Sequence, residues 1–306
     1  MPAMTMPSTG RIAIRLAVHL SLLGALTCSS AFAQRPAAAG ADRMAEMGLP
    51  FDGSGAEFER ESEEAEDEIE TDRDSFTAAT SVVGKKRLVV ESAYSFIDNR
   101  QVPETHSLPE LIARYGIADN LELRLGLNYE VGGAGNPVSG NIPDDAEETS
   151  ELERETRFLY GTKWRATEQR RWLPQSSVVL QASTPSSGEN SDTALAAAYV
   201  FGWKLDNAWQ WDSEIRYATA SSEQDHFNIW SPSTVLKVPV GERWKVHAEY
   251  FSLATAGREL EGTQHFFSPG AHYLFTKNFE LGIRVGWGLN DQAPNFFNNI
   301  GGGIRF

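Results

Sequence analysis

Cysteine is almost absent from this chain of 306 residues, which contains one, Cys28. It lies in an N-terminal stretch that begins with basic residues, continues with an apolar run from Leu16 to Leu26 and ends in Ala31-Phe32-Ala33. This order predicts a secretory signal peptide over residues 1–33, cleaved after its last alanine. The mature chain then begins at Gln34 and has no cysteine, which excludes disulfides and thiol chemistry.

Cys28 also allows a second interpretation, a lipoprotein signal in which the cysteine is acylated. Leu26 and Thr27 precede it directly, however, where a small residue is expected next to the cysteine. We therefore favour cleavage after Ala33.

Long hydrophobic runs are absent from the rest of the chain. After residue 33 no stretch approaches the ~20 consecutive apolar residues that a membrane-spanning helix needs. Any membrane insertion must therefore use β-strands, in which alternate residues face lipid. Basic charge is also scarce, since the formal net charge is −15. With no stripe of Lys and Arg, nucleic acid is not expected as a partner.

Catalytic and metal-binding patterns are missing as well. No Gly-x-Ser-x-Gly motif, phosphate-binding loop or Cys/His metal spacing occurs. Ser268 lies near His265, but strand alternation puts their side chains on opposite faces. His247, His272 and Glu249 could lie close together on neighbouring strands, yet no third strong metal ligand is identified. We predict no enzymatic activity, no metal and no cofactor.

Residues 34–85 differ in composition from everything that follows. Acidic side chains dominate residues 57–74, where only Arg60 and Arg73 oppose them. Mutual repulsion and few apolar side chains disfavour a packed domain. We predict a largely disordered periplasmic segment. The alternatives are a segment that binds a partner or one that occludes the lumen of the next domain.

Alternation with period two governs residues 86–306 and is clearest in residues 120–131, NLELRLGLNYEV. The apolar residues fall on one side of this ribbon, and Glu122, Arg124 and Glu130 fall on the other. Twelve such strand candidates occur, with mostly short connections after the even-numbered strands and longer ones after the odd-numbered strands. That asymmetry is typical of single-chain outer-membrane barrels. We predict an all-β protein, a transmembrane antiparallel up-and-down β-barrel of about 12 strands, with both termini in the periplasm.

Tryptophan positions support this prediction, because six of the eight lie within a few residues of the expected periplasmic turns. Amphipathic rings at that level form the girdle of a membrane barrel. The six residues are Trp164, Trp172, Trp203, Trp209, Trp211 and Trp244.

Prolines oppose the prediction at four places, Pro109, Pro232, Pro239 and Pro269, which fall inside strand candidates. A closed barrel has no edge on which the missing N–H donor is harmless. We expect bulges or earlier strand ends there, and the candidate strand at residues 227–240 is the least regular.

Strand parity places charged side chains of both signs inside the predicted barrel. One interpretation is a lattice of cross-strand ion pairs that stiffens the wall. The other is a constriction whose charged side chains select the solutes that pass. The candidates for such a lumen site are Glu110, Arg114, Glu122, Arg124, Glu155, Arg157, Glu214, Arg216, Glu249 and Arg284.

Four passages carry a resemblance to a known family: ETDRDSF at 70–76, KRLVVESAYSFIDNR at 86–100, HSLPELIARYGIADNLELRLGLNYEVGG at 106–133 and FFSPGAHYLFTKNFELGIRVGWGLN at 266–290. They resemble the bacterial outer-membrane barrels named for the MetA pathway of phenol degradation. The Pro-Glu-x-x-x-Arg-Tyr-Gly run at 109–116 is the most specific part. The resemblance implies a transporter-like barrel that passes aromatic or other small apolar compounds. It brings no set of binding residues and does not account for the long acidic segment.

Barrels of about eight strands fill their own interior, and those of sixteen or more leave a wide channel. We therefore predict an outer-membrane channel or transporter for small solutes, with a narrow lumen. Outer-membrane lipid is expected to surround the barrel. The alternatives are a structural barrel that anchors a periplasmic partner through the acidic segment and, third, a barrel-embedded lipid hydrolase. The final aromatic residue, Phe306, resembles the signal read by the barrel assembly machinery, which is the expected assembly partner.

Overall fold

A computed structural model shows a closed barrel of twelve antiparallel strands, as the alternation predicts. It describes residues 68–139, 152–188, 192–206, 208–222, 225–257 and 262–306. Strands adjacent in the chain pair with each other, and β1 pairs with β12 to close the barrel. The strands are β1 (Leu88–Asp98), β2 (Thr105–Ala118), β3 (Leu121–Gly132), β4 (Glu153–Thr167), β5 (Gln175–Ser187), β6 (Ala194–Lys204), β7 (Gln210–Ser222), β8 (Asp225–Val240), β9 (Trp244–Ala256), β10 (Thr263–Thr276), β11 (Phe279–Gly288) and β12 (Phe296–Arg305).

Strand β3 shows how the alternation builds the wall. Arg124 is 2% exposed and faces the interior, whereas Leu123 and Leu125 are 44% and 64% exposed on the outer face. Large apolar side chains such as Ile215 and Ile300 are exposed in the same way on other strands. Apolar residues outside and buried charges inside are the reverse of a soluble protein and fit a wall surrounded by lipid. None of the described residues forms a helix with the length and apolar character needed to cross a membrane.

The connections differ between the two ends of the barrel. The turn end carries residues 119–120, 168–174, 205–209, 241–243 and 277–278, and the loop end carries 99–104, 133–152, 188–193, 223–224, 257–262 and 289–295. The expected asymmetry is present, although residues 168–174 are long for a turn and residues 223–224 are short for a loop. Since β1 starts and β12 finishes at the turn end, that end corresponds to the periplasmic side of an outer-membrane barrel.

Aromatic residues cluster near the turn end. The ring centroids of Trp203 and Trp211 are 5.6 Å apart, and those of Trp244 and Tyr273 are 4.8 Å apart. Trp172, in the connection between β4 and β5, is 91% exposed. These rings lie where an interfacial girdle is expected.

The four strand prolines are accommodated in different ways. The pairing of β2 with β3 shifts register beside Pro109, so the expected bulge occurs there. Pro232, Pro239 and Pro269 instead remain within β8 and β10 without a register shift, and the expectation of bulges or strand ends is wrong for them. The pairing of β8 with β9 passes over Pro232, and that of β10 with β11 passes over Pro269. The missing N–H donors of these two prolines therefore fall at gaps in the hydrogen-bond ladder.

Phe306 lies at the seam between the first and last strands. Its N–H donates to the carbonyl oxygen of Leu88 at 2.8 Å, and its side chain is 69% exposed. A role for Phe306 in assembly stays a prediction.

Leu125→Arg tests the outer face of β3. We expect it to lower the free energy of unfolding by about 2–4 kcal/mol, because an arginine that faces lipid near the midplane loses its hydration. The matched variant Leu195→Arg, on the outer face near the loop end of β6, should cost about 0–1 kcal/mol. Urea unfolding in lipid vesicles measures both, and equal costs would show that Leu125 does not lie near the midplane.

Candidate functional site in the barrel lumen

The chain that precedes β1 turns back into the barrel. Residues 68–84, here called the plug, start at the turn end, where the N–H of Ile69 donates to the carbonyl oxygen of Lys277 at 2.8 Å. The plug reaches the middle of β9 near Phe76 and returns to the same end, where the N–H of Lys86 donates to the carbonyl oxygen of Gly116 at 2.7 Å. Much of the plug is buried, and Phe76 is 1% exposed.

For residues 68–84 this path corrects the prediction of a largely disordered periplasmic segment, which was made for residues 34–85. Residues 68–84 pack inside the lumen, which is the occluding alternative, whereas residues 1–33 and 34–67 lie outside the described residues. The reason is that carboxylates that repel one another in an isolated acidic run are neutralised here by cations of the wall.

Asp72 is the centre of a dense ion-pair cluster in the lumen. Its carboxylate lies 3.0 Å from Nζ of Lys163 and 3.6 Å from Nε of Arg114, and it also pairs with Arg124. Arg114 and Arg124 in turn bind Glu122 at 2.9 and 3.0 Å. The side chains in these pairs are at most 1% exposed. Three cations from three adjacent strands thus converge on one plug carboxylate.

Three further ion pairs hold the same half of the plug. They reach β2, β8 and β9, so the charged contacts extend around much of the lumen. The pairs, with their N···O distances, are Arg73 with Glu110 (2.7 Å), Asp74 with Lys237 (2.8 Å) and Glu68 with Lys245 (2.9 Å).

Wall carboxylates bind main-chain N–H groups of the plug between residues 76 and 83, from its innermost point, the tip at Phe76, back toward the turn end. These contacts satisfy N–H groups that would otherwise be buried without acceptors, and they do not depend on plug side chains. The N–H groups of Phe76 and Thr77 donate to Glu249 at 2.9 and 2.7 Å, that of Ala78 donates to Glu214 at 2.8 Å, and that of Val83 donates to Glu122 at 2.7 Å.

The first long loop folds inward from the opposite end. Asn136 donates from Nδ2 to Glu110 at 2.8 Å, and Arg284 donates to the carbonyl oxygen of Val138. Val138 is fully buried in the largest apolar cluster of the lumen. The plug and this loop together fill the middle of the lumen.

Phe76, at the plug tip, joins an aromatic cluster. Its ring centroid is 4.3 Å from that of Phe251, with planes 4° apart, and Phe251 stacks on Phe266 at 4.6 Å and 9°. Phe297 packs edge-on against both wall rings at 6.2 Å. The guanidinium carbon of Arg216 lies 4.7 Å from the centroid of the Phe76 ring, a cation–π distance.

A cavity of about 440 Å³ opens behind the plug at the turn end and extends inward to Arg114. Plug residues Glu68 and Glu70 form part of its lining. Besides Arg114, the basic side chains of the lining are Arg87, Arg165, Lys204, Lys237, Arg243, Lys245 and Arg305. A solute that comes from the turn end therefore enters a charged chamber whose lining includes both ends of the plug.

The pKa values of three plug carboxyl groups, those of Glu70, Asp72 and Asp74, are lowered inside the barrel. Burial by itself raises the pKa of a carboxyl group, but the charges of Lys237 and Lys204 outweigh it and lower the pKa of Glu70 to about 2. The wall cations around Asp72 overcome burial in the same way and lower its pKa well below the usual value. Burial would also raise the pKa of Asp74, but the charge of Lys237 lowers it below its usual value.

These lowered pKa values predict how plug docking depends on pH. An exposed carboxyl group has a pKa of about 4. The ionised carboxylates therefore stabilise the docked plug fully above about pH 4, and this stabilisation is lost as the pH falls toward about 2. We expect the conductance of the barrel in planar bilayers to be constant between about pH 7 and pH 5 and to rise only below about pH 4. A rise already near pH 6 would contradict this electrostatic account.

All ten predicted lumen residues have inward-facing positions in the wall, and most of them contact the plug. Glu155 and Arg157 pair with each other at 2.8 Å, and Arg284 binds Glu249 at 3.4 Å. The side chains expected at a constriction thus form part of the wall lattice and also hold the plug. Those that bind the plug are Glu110, Arg114, Glu122, Arg124, Glu214, Arg216 and Glu249.

The Pro-Glu-x-x-x-Arg-Tyr-Gly motif supplies one side of the plug contact. Glu110 binds Arg73, and Arg114 binds Asp72. Gly116 lies against the plug main chain, with which a side chain at this position would collide. Two of the passages that carry the family resemblance, ETDRDSF and this motif, therefore bind each other.

Sequence reasoning missed the plug residues Asp72, Asp74 and Phe76 and the wall residue Lys237 as members of one site. Their partners are distant in the chain, so composition showed only an acidic run. One feature of the sequence could have indicated the plug. The acidic run ends in ETDRDSF, one of the four passages that resemble the family.

The side chains considered for a hydrolase or a metal site have other partners in the wall. Ser268 donates to a backbone carbonyl oxygen of β11 at 2.9 Å, while His265 pairs with the hydroxyl of Tyr250 at 2.7 Å. His247 and His272 approach to 3.0 Å. Within the described ranges no group of three His, Cys, Asp or Glu side chains could hold a metal ion.

Several solved structures are similar to this chain. The COG4313 outer membrane channel from Pseudomonas putida F1 has 14% identity, covers 78% of this chain and 100% of its own, and has a TM-score of 0.49. A loop-deletion mutant of OmpT from Vibrio cholerae has 10% identity, coverages of 72% and 98%, and a TM-score of 0.41. The KdgM porin has 12% identity, coverages of 71% and 99%, and a TM-score of 0.42. A comparison with curated proteins gave no match.

A family model described as "Putative MetA-pathway of phenol degradation" matches residues 71–306. The match covers most of the chain and starts at Thr71, so it includes much of the plug as well as the barrel. This protein is a bacterial outer-membrane β-barrel and belongs to the MetA-pathway of phenol degradation family.

Proposed function

We propose that this protein is an outer-membrane channel that opens when the plug moves, and that its solutes are aromatic or other small apolar compounds. The observation that carries the proposal is how the plug is attached. Ion pairs and hydrogen bonds hold it, and both of its ends lie at the turn end. The plug can therefore leave and return without disturbing the pairing of the strands.

The lining of the lumen supports the proposed class of solute. Ion pairs occupy its middle, and the wall rings Phe251, Phe266 and Phe297 offer an apolar surface toward the loop end. Aromatic faces favour planar rings, because offset stacking and edge contacts add to the gain from burying apolar area. The family resemblance points to the same solutes.

A disulfide between plug and wall tests the proposal. Oγ1 of Thr77 lies 2.8 Å from Oγ of Ser233, so the double variant Thr77→Cys/Ser233→Cys should cross-link on oxidation. The oxidised variant should pass no current in planar bilayers and admit no small aromatic solutes into liposomes. Reduction should restore the wild-type currents and uptake.

The two single-cysteine variants are the matched controls, since they carry the same substitutions without the cross-link. Equal currents and uptake in the oxidised and reduced double variant would show that transport does not require plug movement.

The position of Glu68 favours a second candidate function, a structural anchor. Glu68, the first described residue, binds Lys245 at the turn end, which is the periplasmic side of the barrel. An anchor predicts that a periplasmic protein is retained by barrels that carry residues 34–67 and not by barrels that lack them. It also predicts no solute flux in the reduced double variant.

A further inference from the structure

The plug tip occupies a slot that belongs to the wall. Phe251 lies parallel to the Phe76 ring at 4.3 Å, and Arg216 lies against the same ring at 4.7 Å. Phe266 and Phe297 support Phe251 from neighbouring positions on the wall. Phe76 is the one contributor from the plug, so the stacking surface remains in the wall when the tip leaves.

A carboxylate next to this surface accepts hydrogen bonds from the tip. Glu249 receives three, from the N–H of Phe76 at 2.9 Å, from the N–H of Thr77 at 2.7 Å and from Oγ1 of Thr77 at 2.7 Å. Arg284 pairs with it at 3.4 Å and keeps it oriented. The tip thus contributes an aromatic ring and hydrogen-bond donors. The wall contributes the ring face on which Phe76 stacks, the guanidinium that lies against it and the carboxylate that accepts the hydrogen bonds.

We propose that this slot is a binding site for an aromatic ring that carries a hydroxyl or amino donor, and that Phe76 occupies the place of this ligand in the closed state. The ligand ring stacks on Phe251 beneath Arg216, and its donor binds Glu249. This inference rests on the proposed function, because it places the solute within the lumen of the channel. Ligand and tip exclude each other, so ligand binding shifts the protein toward the withdrawn plug.

The test is equilibrium binding of 4-fluorophenol to the full mature protein in detergent, followed by ¹⁹F NMR. In the wild type the slot is available only while the tip is withdrawn, which weakens the apparent affinity. Phe76→Ala should bind at least roughly tenfold more tightly, because loss of the Phe76 ring removes the contacts of the tip with Phe251 and Arg216, so that the tip leaves the slot more readily. Phe158→Ala is the matched control, since it removes the same ring from the lipid face, where Phe158 is 52% exposed, and should leave the affinity unchanged.

A second substitution identifies the stacking partner. Adding Phe251→Leu to Phe76→Ala keeps apolar bulk in the wall but removes the ring face, and the gain in affinity should be lost. Cyclohexanol, which has a donor but no aromatic ring, and benzene, which has a ring but no donor, should each compete with the probe more weakly than phenol. The mobility of unheated samples on gels shows that each variant is folded.

Three results would overturn the inference: no gain for Phe76→Ala, a gain that survives Phe251→Leu, or equal competition by cyclohexanol and phenol. The measurement needs no flux across a membrane, so its failure leaves the channel proposal intact. Tight binding together with unchanged currents in the disulfide experiment would overturn the channel proposal and leave the binding site.

Discussion

Replacing residues 70–82 with a Gly/Ser linker of equal length should raise the single-channel conductance on the order of tenfold, because a twelve-stranded barrel without its plug is wider than the barrels that fill themselves. The linker lacks Asp72, Asp74 and Phe76, which provide much of the attachment to the wall. Purified wild-type and variant barrels are compared in planar bilayers at the same salt concentration.

The same replacement at residues 48–60, upstream of the plug, is the control and should leave the conductance at its wild-type value. An unchanged conductance in the plug variant, with the barrel folded, would show that something other than the plug closes the lumen.

Ion selectivity should change together with the conductance. A wall with both signs of charge predicts weak selectivity, since opposite charges at similar depth cancel the field that an ion feels. Residues 70–82, however, contain three carboxylates and one arginine, and their replacement leaves Arg114, Arg124 and Lys163 without Asp72. We therefore expect the reversal potential of the linker variant in a KCl gradient to shift toward anions. A shift toward cations would show that the wall carboxylates dominate the open lumen.

Asp72→Asn should release the plug while the barrel stays folded. The substitution leaves three buried cations without their shared counter-ion, and loss of one partner from a buried ion pair costs about 3–5 kcal/mol. The wall can recover hydration of these cations by expelling the plug and admitting water, whereas unfolding would break all twelve strand pairings. We therefore expect the cost to appear as plug release.

Limited trypsin digestion measures this release, because Arg73 is buried in the docked plug and accessible in a released one. Cleavage after Arg73 should be rapid in Asp72→Asn and slow in the wild type. Asp74→Asn is the matched control and should have a smaller effect, since its ion pair has a single wall partner, Lys237. Equal protection of Arg73 in Asp72→Asn and the wild type would mean that the cluster around Asp72 does not hold the plug.

The wall could be predicted because its signal is local. In β3 successive residues from Leu121 to Leu125 face lipid and lumen in turn, and this alternation can be read from five adjacent positions. The inward positions of Arg114, Glu122 and Arg124 follow from parity in the same way. The turn-end tryptophans report the membrane boundary for a similar reason, since they lie next to the turns in sequence.

The sequence by itself therefore determined the barrel, its strand number, its two faces and the family. The tertiary structure decided that residues 68–84 lie inside the barrel, because the partners that neutralise them are remote in the chain: Asp72 and Lys163 are 91 positions apart, and Thr77 and Glu249 are 172 apart. In an isolated acidic run the charges repel and favour an extended chain. Once the closed wall gathers cations from β2, β3, β4 and β8 around one short segment, the same charges favour burial.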